Sequence, residues 1–486
     1  MNYHTDWIAF FRLSMPQLVL FFTSVVVLLV GAFKKQKQDL LAPILTGLGL
    51  AAAFFLSWNL WLHGGSETVG MLNFTRFTFF AWMLTLLAAF FSLLLSYEYL
   101  QQRKSSHPEF YGLLLLATVG MGCLVAGSDL LMIFIGLETM SIAVYPLAGF
   151  LRERPQANEA ALKYFITGAF ASAFLLMGIA FLFGTAGTTD LATISQNAST
   201  YLSGEKSPFF LFGIALTFIG FAFKIAAVPF HAWAPDVYDG APTPVTNFMA
   251  TAVKAAAVLA LLRLAAMIFS STGDLWVNLM WGAAAVTMLL GNIAALSQDN
   301  LKRMLAYSSI AHVGYLLVAF ATLPDAAAVG STAIMFYLVV YVLMSAGAFA
   351  IVIACQAGRE NTDVNSLAGL SKKRPCLAAM FAIFMLSLAG FPPTVGFFAK
   401  YYLFLAAVKS GLIWLVVLGL INSAISAYYY LRPIVVMYFH PENTNAPESK
   451  ALCTPLVAVI AVAALFVIFF GLFPSNLLDF VKASMF

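Results

Sequence analysis

The chain has 486 residues, of which 62% are hydrophobic and 9% are charged, with a formal net charge of +4 and a mean hydropathy of +0.91. A soluble globular domain carries about 25% charged residues, so this composition excludes the soluble class and indicates a polytopic membrane protein. The excess of basic residues is small and dispersed, which excludes nucleic acid as a partner.

At about 20 apolar residues per membrane crossing, the sequence predicts an all-α protein with about 14 transmembrane helices. The predicted spans cover 14–33, 40–62, 73–97, 109–127, 129–150, 160–184, 208–231, 243–269, 274–297, 302–323, 326–356, 375–408, 411–439 and 451–473. They form one membrane domain over residues 1–486, with three N-terminal helices (1–108), two groups of five helices (109–269 and 274–439) and a C-terminal helix (451–486).

Prolines interrupt two of the predicted spans, the seventh and the twelfth. Pro229 lies within span seven, and Pro392 and Pro393 are consecutive in the middle of span twelve, so neither span is expected to be one regular helix. Interrupted helices at corresponding places of two halves indicate an inverted repeat with an ion site at the breaks. We therefore predict two inverted five-helix repeats, spans 4–8 and 9–13, with broken helices 7 and 12.

The lysines and arginines of the short loops are distributed unevenly between the two sides of this topology. Most of them lie on one side, namely Lys34, Lys35, Lys37, Arg103, Lys104, Arg152, Arg154, Lys302, Arg303, Arg359, Lys372, Lys373, Arg374, Arg432 and Lys450. The other side has Arg12, Arg76, Lys206, Lys409 and Lys482. Because basic loop residues are enriched on the cytoplasmic side, the pattern places both termini outside. We expect a bacterial inner membrane, with the termini on its periplasmic side.

Three lysines and one glutamate lie well inside the predicted spans, away from the span ends, where a charge costs roughly 2.5–3.5 kcal/mol on insertion scales. They are Lys224 in span seven, Lys254 in span eight, Lys400 in span twelve and Glu138 in span five. A carboxylate close to a buried lysine favours the protonated lysine, and when the carboxylate moves away, the lysine releases its proton. A Glu138–Lys224 pair is therefore a candidate proton switch. A static buried ion pair is the alternative.

His312, Lys163 and Lys302 are candidates for a proton relay or for proton uptake. His312 lies midway along span ten, and a histidine ordinarily titrates near neutral pH, which suits a relay; a core histidine with satisfied hydrogen bonds is the alternative. Lys163 and Lys302 lie near the starts of spans six and ten, close to the predicted cytoplasmic edge. There, either lysine can instead extend its ammonium group into water as a structural anchor.

The sequence has no motif for bond chemistry or for binding a cofactor. Cys123, Cys355, Cys376 and Cys453 lie far apart without C-x-x-C spacing, which argues against a zinc site, an iron–sulfur cluster or a disulfide framework. A P-loop, an H-E-x-x-H sequence and a nucleophile elbow are absent as well. We therefore predict no metal and no cofactor in this chain.

Three stretches of the chain resemble the antiporter-like, proton-translocating membrane subunits of respiratory complex I: FKIAAVPFHAWAPDVYDGAPTPV, SQDNLKRMLAYSSIAHVGYLL and LAGFPPTVGFFAKYYLF. The resemblance covers nearly the whole chain. The D-V-Y-x-G-A-P run at 236–242, a lysine rather than a glutamate at position 400, and the absence of a long lateral helix after span fourteen favour one of the three branches of this family.

The resemblance implies a proton path through two half-channels. Glu138 and Lys224 match the acid and the lysine of the first half-channel, while Lys254 matches the connecting lysine. Lys400 matches the lysine of the second broken helix. Positions thought to line the connecting path or the site of proton uptake are matched by His312, Lys163 and Lys302.

The resemblance also implies which chemistry lies elsewhere. Flavin, iron–sulfur clusters and quinone chemistry are expected in partner subunits, so the chain would be one subunit of a proton-pumping translocase in an electron-transport chain. Its expected neighbours are other antiporter-like subunits, small membrane subunits and the lipid bilayer. Two alternatives stay open: a subunit of a multi-subunit sodium/proton antiporter, and a membrane scaffold of the complex that does not pump.

Overall fold

The structure is a computed structural model that describes residues 7–33, 40–356, 363–441 and 453–485. Its α-helices are α1 (Trp7–Phe33), α2 (Leu41–His63), α3 (Arg76–Gln102), α4 (Pro108–Ala126), α5 (Leu130–Ala148), α6 (Pro155–Ala186), α7 (Leu191–Gln196), α8 (Ala198–Ser203), α9 (Ser207–Ile225), α10 (Trp233–Gly240), α11 (Thr243–Phe248), α12 (Lys254–Met267), α13 (Asp274–Leu296), α14 (Leu301–Phe320), α15 (Leu323–Gln356), α16 (Leu370–Lys373), α17 (Pro375–Ala389), α18 (Val395–Lys409), α19 (Ile413–Phe439), α20 (Thr454–Leu472) and α21 (Pro474–Ala483). Short 3₁₀ helices cover Phe269–Thr272 and Val364–Leu367, and a small antiparallel hairpin pairs β1 (Glu67–Val69) with β2 (Leu72–Phe74). Some basic residues of the predicted topology lie outside the described residues: Lys34, Lys35, Lys37, Arg359 and Lys450.

The predicted all-α, polytopic fold is confirmed. Within the described ranges, 13 helices are long and apolar enough to cross a membrane. The two shorter helices α17 and α18 supply one further, broken span, as the consecutive prolines predict. The number of spans therefore agrees with the sequence.

The spans fall into an inner and an outer group. Helices α3, α14 and α15 and the span Thr243–Met267 are almost entirely buried inside the chain, whereas α1, α2, α6, α13, α19 and α20 expose much of their surface. The exposed side chains of the outer group are mostly large and apolar, as a bilayer or a neighbouring membrane subunit requires. The inner group carries Lys254 and His312.

Span seven breaks earlier than the sequence predicts. Helix α9 ends at Ile225, and Ala226 adopts a left-handed backbone conformation with φ of 60°. Pro229, predicted to interrupt the helix from within, instead lies in the loop that connects α9 to α10, after a cis Val228–Pro229 bond. Lys224 therefore lies in the last turn of α9, where the partial negative charge of the helix end stabilises a cation.

Span twelve breaks where the prolines predict. Helix α17 ends at Ala389, Gly390 is left-handed with φ of 90°, and α18 begins at Val395 after the cis Pro392–Pro393 bond. Lys400 lies on the second half-helix, as expected.

Span eight contains an irregularity that the sequence does not announce. Residues Met249–Val253 form a π-helical turn between α11 and α12, directly before Lys254. Such turns widen a helix locally, and they occur frequently at functional sites.

Candidate functional site

The first buried cation, Lys224, lies in an aromatic pocket. Its ammonium group donates a hydrogen bond of 3.4 Å to the hydroxyl of Tyr164, and it lies 5.1 Å and 5.8 Å from the ring centres of Tyr164 and Tyr145. Trp233, from α10, stacks on Tyr164 with ring centres 4.6 Å apart. The rings stabilise the ammonium group by cation–π attraction without supplying a negative charge.

Glu138 does not form the direct ion pair with Lys224 that a closed proton switch requires. The carboxylate is only half-buried, and it accepts a hydrogen bond from the hydroxyl of Ser172 on α6. Among the described residues, the ion pairs within 4.0 Å do not include this glutamate. The structure thus holds the two groups of the predicted pair apart, each with a neutral hydrogen-bond partner.

The second buried cation, Lys254, is held by one serine. Its ammonium group donates to the hydroxyl of Ser309 and, over 3.2 Å, to the carbonyl oxygen of the same residue. The hydroxyl of Tyr341 donates to Ser309 at 2.8 Å, and the ring of Tyr238 lies 6.0 Å from the lysine nitrogen. No carboxylate pairs with Lys254 in the part of the chain that the structure describes.

His312 lies at the centre of a hydroxyl cluster and is fully buried. Its Nδ1 atom is 2.5 Å from the hydroxyl of Tyr337, and its Nε2 atom is 3.0 Å from that of Tyr430. The hydroxyl of Ser308 is hydrogen-bonded to Tyr430 as well. The histidine therefore has a hydrogen-bond partner on each ring nitrogen, which both a relay and a satisfied core histidine require.

The third buried cation, Lys400, bridges the break in span twelve. Its ammonium group donates to the carbonyl oxygen of Ala389 at 2.8 Å and to the hydroxyl of Ser423 at 2.9 Å. Ala389 is the last residue of α17, so the lysine contacts the negative end of that half-helix. The ring of Tyr315 lies 4.8 Å from the lysine nitrogen.

A chain of polar groups connects the surroundings of Lys400 with the histidine cluster. The amide of Asn292 lies 3.4 Å from the hydroxyl of Tyr315, and the hydroxyl of Tyr429 donates to the same asparagine at 2.9 Å. The rings of Tyr429 and Tyr430 are 4.4 Å apart. Because Tyr430 contacts His312, the polar groups extend from span ten to the broken span.

Lys163 lies at the edge of the protein, in an ion-pair cluster. It pairs with Glu159 at 2.6 Å and with Asp236 at 2.9 Å, and Asp236 also pairs with Arg303 at 2.9 Å. Partial burial raises the pKa of Asp236, but the hydrogen bonds and charges of the two cations outweigh it, so the pKa lies below its ordinary value. Asp236 thereby joins α6 and α14 through the connecting helix α10.

Lys302 is not the water-exposed anchor that its place at the start of a span suggests. It is 1% exposed, and its ammonium group donates to the carbonyl oxygens of Asp239 at 2.6 Å and Ala241 at 2.7 Å. These carbonyl groups terminate α10. Lys302 therefore fastens the first group of spans to the second.

A further buried cation, Arg263 of α12, is absent from the sequence predictions. It is 2% exposed, and it donates to the hydroxyl of Thr78 at 2.7 Å and to the carbonyl oxygen of Gly127 at 3.2 Å. Its guanidinium carbon lies 5.3 Å from the ring centre of Phe77. The apolar run around this arginine is the same signal that identifies the buried lysines.

Of the central cluster, the sequence singles out Ser308, one turn before His312 on the same face, but not the tyrosines or Ser309. Helical spacing contains a signal for them, because Ser308, His312 and Tyr315 lie on one side of span ten, and Tyr337 and Tyr341 are one turn apart in span eleven.

Across the described residues, no group of three or more His, Cys, Asp or Glu side chains is placed to hold a metal.

Fold and site together define a class of membrane protein, in which buried charges beside broken helices serve the translocation of ions or protons. The family described as NADH:quinone oxidoreductase/Mrp antiporter, transmembrane, matches residues 127–426. The chain therefore belongs to this family.

Relatives and solved structures agree with that assignment. The chain is 43% identical over 475 residues to the NADH-quinone oxidoreductase subunit N of Trichlorobacter lovleyi, with 97% of this chain and 96% of the relative covered. It is 35% identical to a chain of respiratory complex I from Thermus thermophilus, with a TM-score of 0.81 and 96% and 98% of the two chains covered. A chain of the Mrp complex from Dietzia sp. DQ12-45-1b, 21% identical with a TM-score of 0.84 over 97% and 96% of the chains, shows the shared fold alone. Subunit N is the branch that the sequence features favour, and these relatives confirm it.

Proposed function

We propose that the chain is a proton-translocating membrane subunit of an NADH:quinone oxidoreductase, of the subunit N kind, in which Lys224, Lys254 and Lys400 carry the proton. One observation supports this role above the others: all three lysines are buried, and in the described part of the chain none has a carboxylate partner. A buried lysine that an ion pair does not lock can lose and regain its proton. Redox chemistry in partner subunits supplies the drive, because each proton moved against 100 mV costs about 2.3 kcal/mol.

Glu138 controls the first of these lysines in the proposed mechanism. The observed arrangement, with the carboxylate on Ser172 and the lysine on Tyr164, corresponds to the separated state of the switch. Movement of α5 toward α9 brings the carboxylate to Lys224, where it holds the lysine's proton, and the return movement releases that proton. The half-exposed position of Glu138 leaves it room to respond to a neighbouring subunit.

Hydroxyl and imidazole groups form the proposed route between Lys254 and Lys400. Ser309 contacts Lys254, and the cluster around His312 is the next station. Beyond it, Asn292 and Tyr315 lead to Lys400. Each of these groups can donate and accept a proton or orient a bridging water molecule, which a relay needs.

Lys163 and Lys302 lie beside α10 at the proposed cytoplasmic side, in the proposed region of proton uptake. The half-exposed Lys163 is the better placed of the two to receive a proton from water, since Lys302 is buried between backbone carbonyls. Both termini are proposed to lie outside, in the bacterial inner membrane.

The proposed domain organisation keeps 109–269 and 274–439 as two inverted repeats. Two features support it. A residue with left-handed backbone, Ala226 or Gly390, begins each break, and each break has a lysine at the negative end of the preceding half-helix.

The first experiment is NADH-driven proton pumping in inverted membrane vesicles, with Lys224→Ala compared with the unaltered protein and with the exposed-site variant Lys409→Ala. Assembly of the complex is verified by native gel. We expect Lys224→Ala to lower pumping by about tenfold or more while the complex assembles, and Lys409→Ala to leave it unchanged. Unchanged pumping in Lys224→Ala would make this lysine a structural cation.

The two alternatives give different results in the same preparation. A sodium/proton antiporter subunit purifies without redox subunits, and its transport responds to a sodium gradient rather than to NADH. A scaffold that does not pump tolerates neutral substitutions at Glu138, Lys224, Lys254 and Lys400 together, with pumping unchanged.

A further inference from the structure

Two adjoining cavities lie on the outer surface of α4, α5 and α6. The first, of about 500 Å³, lies where α3, α4, α5 and α6 begin or end, and its lining includes Arg103, His107, Arg152 and Arg154. The second, of about 430 Å³, runs along the helices and is lined by Leu113, Pro146, Ala161, Leu162 and Phe165. Glu109, Phe150 and Arg152 line both cavities, so the two lie side by side.

The first cavity carries an excess of positive charge. Its lining has three arginines and two glutamates, Glu109 and Glu153. Among the residues that the structure describes, no ion pair involves Arg152, whose side chain is exposed. A guanidinium group presents a planar fork that matches a phosphate group, so an anionic phosphate is the complementary ligand.

The second cavity is apolar and faces outward. Leu162 is 59% exposed and Phe165 is 53% exposed, on a helix that lies in the outer group of spans. A groove of this kind suits a hydrocarbon chain, and Arg152 lines it as well as the first cavity. One site thus combines arginines that suit a lipid head group with an apolar groove that suits an acyl chain.

We propose that these cavities bind one anionic phospholipid, with its phosphate against Arg152 and an acyl chain over Leu162 and Phe165. Basic pockets between membrane helices are established binding sites for such head groups. The lipid would border the first buried lysine, because Tyr145 lines the groove and its ring lies 5.8 Å from the Lys224 ammonium. The proposal does not depend on the proton path, since it concerns only the outer surface.

The test uses membranes that contain the whole native complex and a phosphatidylglycerol with a photoactivatable acyl chain, together with a phosphatidylcholine that carries the same chain. After illumination, mass spectrometry locates the labelled peptides. We expect the phosphatidylglycerol probe to label the peptide with Leu162 and Phe165 about fivefold more than the phosphatidylcholine probe does. Arg152→Ala lowers this labelling by about fivefold, whereas Lys372→Ala, which removes an exposed cation predicted on the same side, leaves it unchanged.

Three results with the unaltered protein would overturn the proposal, whether or not a variant assembles. Equal labelling by both probes would mean ordinary boundary lipid. Labelling by neither probe would mean that a neighbouring protein covers the groove. Loss of labelling on addition of millimolar inorganic phosphate would mean a site for a free anion rather than a lipid.

Discussion

At the scale of single residues, the three buried lysines share one solution to the same problem. A cation in a membrane core needs partners that replace its lost hydration. A carboxylate is one such partner, but it can form a permanent ion pair with the cation. Here the contacts are neutral: a phenol and aromatic rings for Lys224, a serine for Lys254, and a helix-end carbonyl for Lys400. Neutral partners stabilise the ammonium group and still allow it to lose its proton, which suits a relay.

Arg263 shows the contrasting case of a buried cation that we expect to be structural. It connects α12 to Thr78 on α3 and to Gly127 at the end of α4. Because hydrogen bonds to a charged group contribute about 1.5–3 kcal/mol each when buried, we expect Arg263→Ala to lower stability by about 3 kcal/mol. The measurement is the fraction of the chain that stays soluble after the purified complex is heated.

The matched variant for this prediction is Arg76→Ala, which removes an exposed arginine that lies 5.7 Å from the ring of Trp61. We expect it to cost about 1 kcal/mol or less. Equal heat sensitivity of the two variants would show that the buried contacts of Arg263 contribute no more stability than the exposed contact of Arg76.

At the scale of elements, the backbone at the break in span twelve lies against the side chain of Lys400. Gly390 has φ of 90°, and a Cβ atom added there would lie 3.0 Å from Cδ of Lys400. Gly390→Ala therefore strains the backbone by about 1–2 kcal/mol and also pushes the lysine away from Ala389. We expect NADH-driven pumping to fall in this variant.

Gly411 provides the control for Gly390, because it also has a positive φ, of 73°, but nothing lies within 4 Å of an added Cβ. Gly411→Ala should show a comparable loss of stability and normal pumping. If both variants pump normally after assembly, the contact between the break and Lys400 does not matter for transport.

The link formed by α10 makes a prediction about pH. Asp236→Asn removes the ion pairs with Lys163 and Arg303, which are partly exposed, so we expect a loss of about 1 kcal/mol or less. Since the pKa of Asp236 is lowered by these cations against the effect of burial, its contribution is complete above the ordinary aspartate pKa of about 4. It is lost as the pH falls through the lower pKa of the folded protein.

The measurement for Asp236 is a comparison of heat stability at neutral and acidic pH, with Lys163→Ala and the double variant to complete a cycle. The difference between unaltered protein and Asp236→Asn should shrink in acid and in high salt. A difference that is independent of both would assign the effect to packing instead.

The sequence predicts those elements whose signal is local. Consecutive prolines define the break in span twelve, and long apolar runs define the remaining spans. Pro229 predicts a break in span seven but not its start at Ala226, and the π-helical turn before Lys254 has no local signal of this kind. Burial of Lys302 is also invisible in the sequence, since its acceptors come from a different helix.

At the scale of the whole molecule, the polar site is assembled from spans far apart in the chain. The charged members could be predicted because a charge in an apolar run is conspicuous. Their neutral partners could not be assigned from one sequence, because serines and tyrosines are common in membrane helices and their contacts depend on packing. The same holds for the separation of Glu138 from Lys224, which depends on how α5 and α6 are placed.

This assembly leads to a prediction about the whole path. If Lys224 and Lys400 belong to one relay, Lys224→Ala and Lys400→Ala each interrupt the same proton flow. The double variant should then pump no less than whichever single variant pumps less. Groups that act as a unit show this non-additivity. If the two halves conduct separately, each single variant should retain part of the pumping and the double variant should lose both parts. Pumping per NADH oxidised, measured in vesicles with equal amounts of assembled complex, distinguishes one path from two.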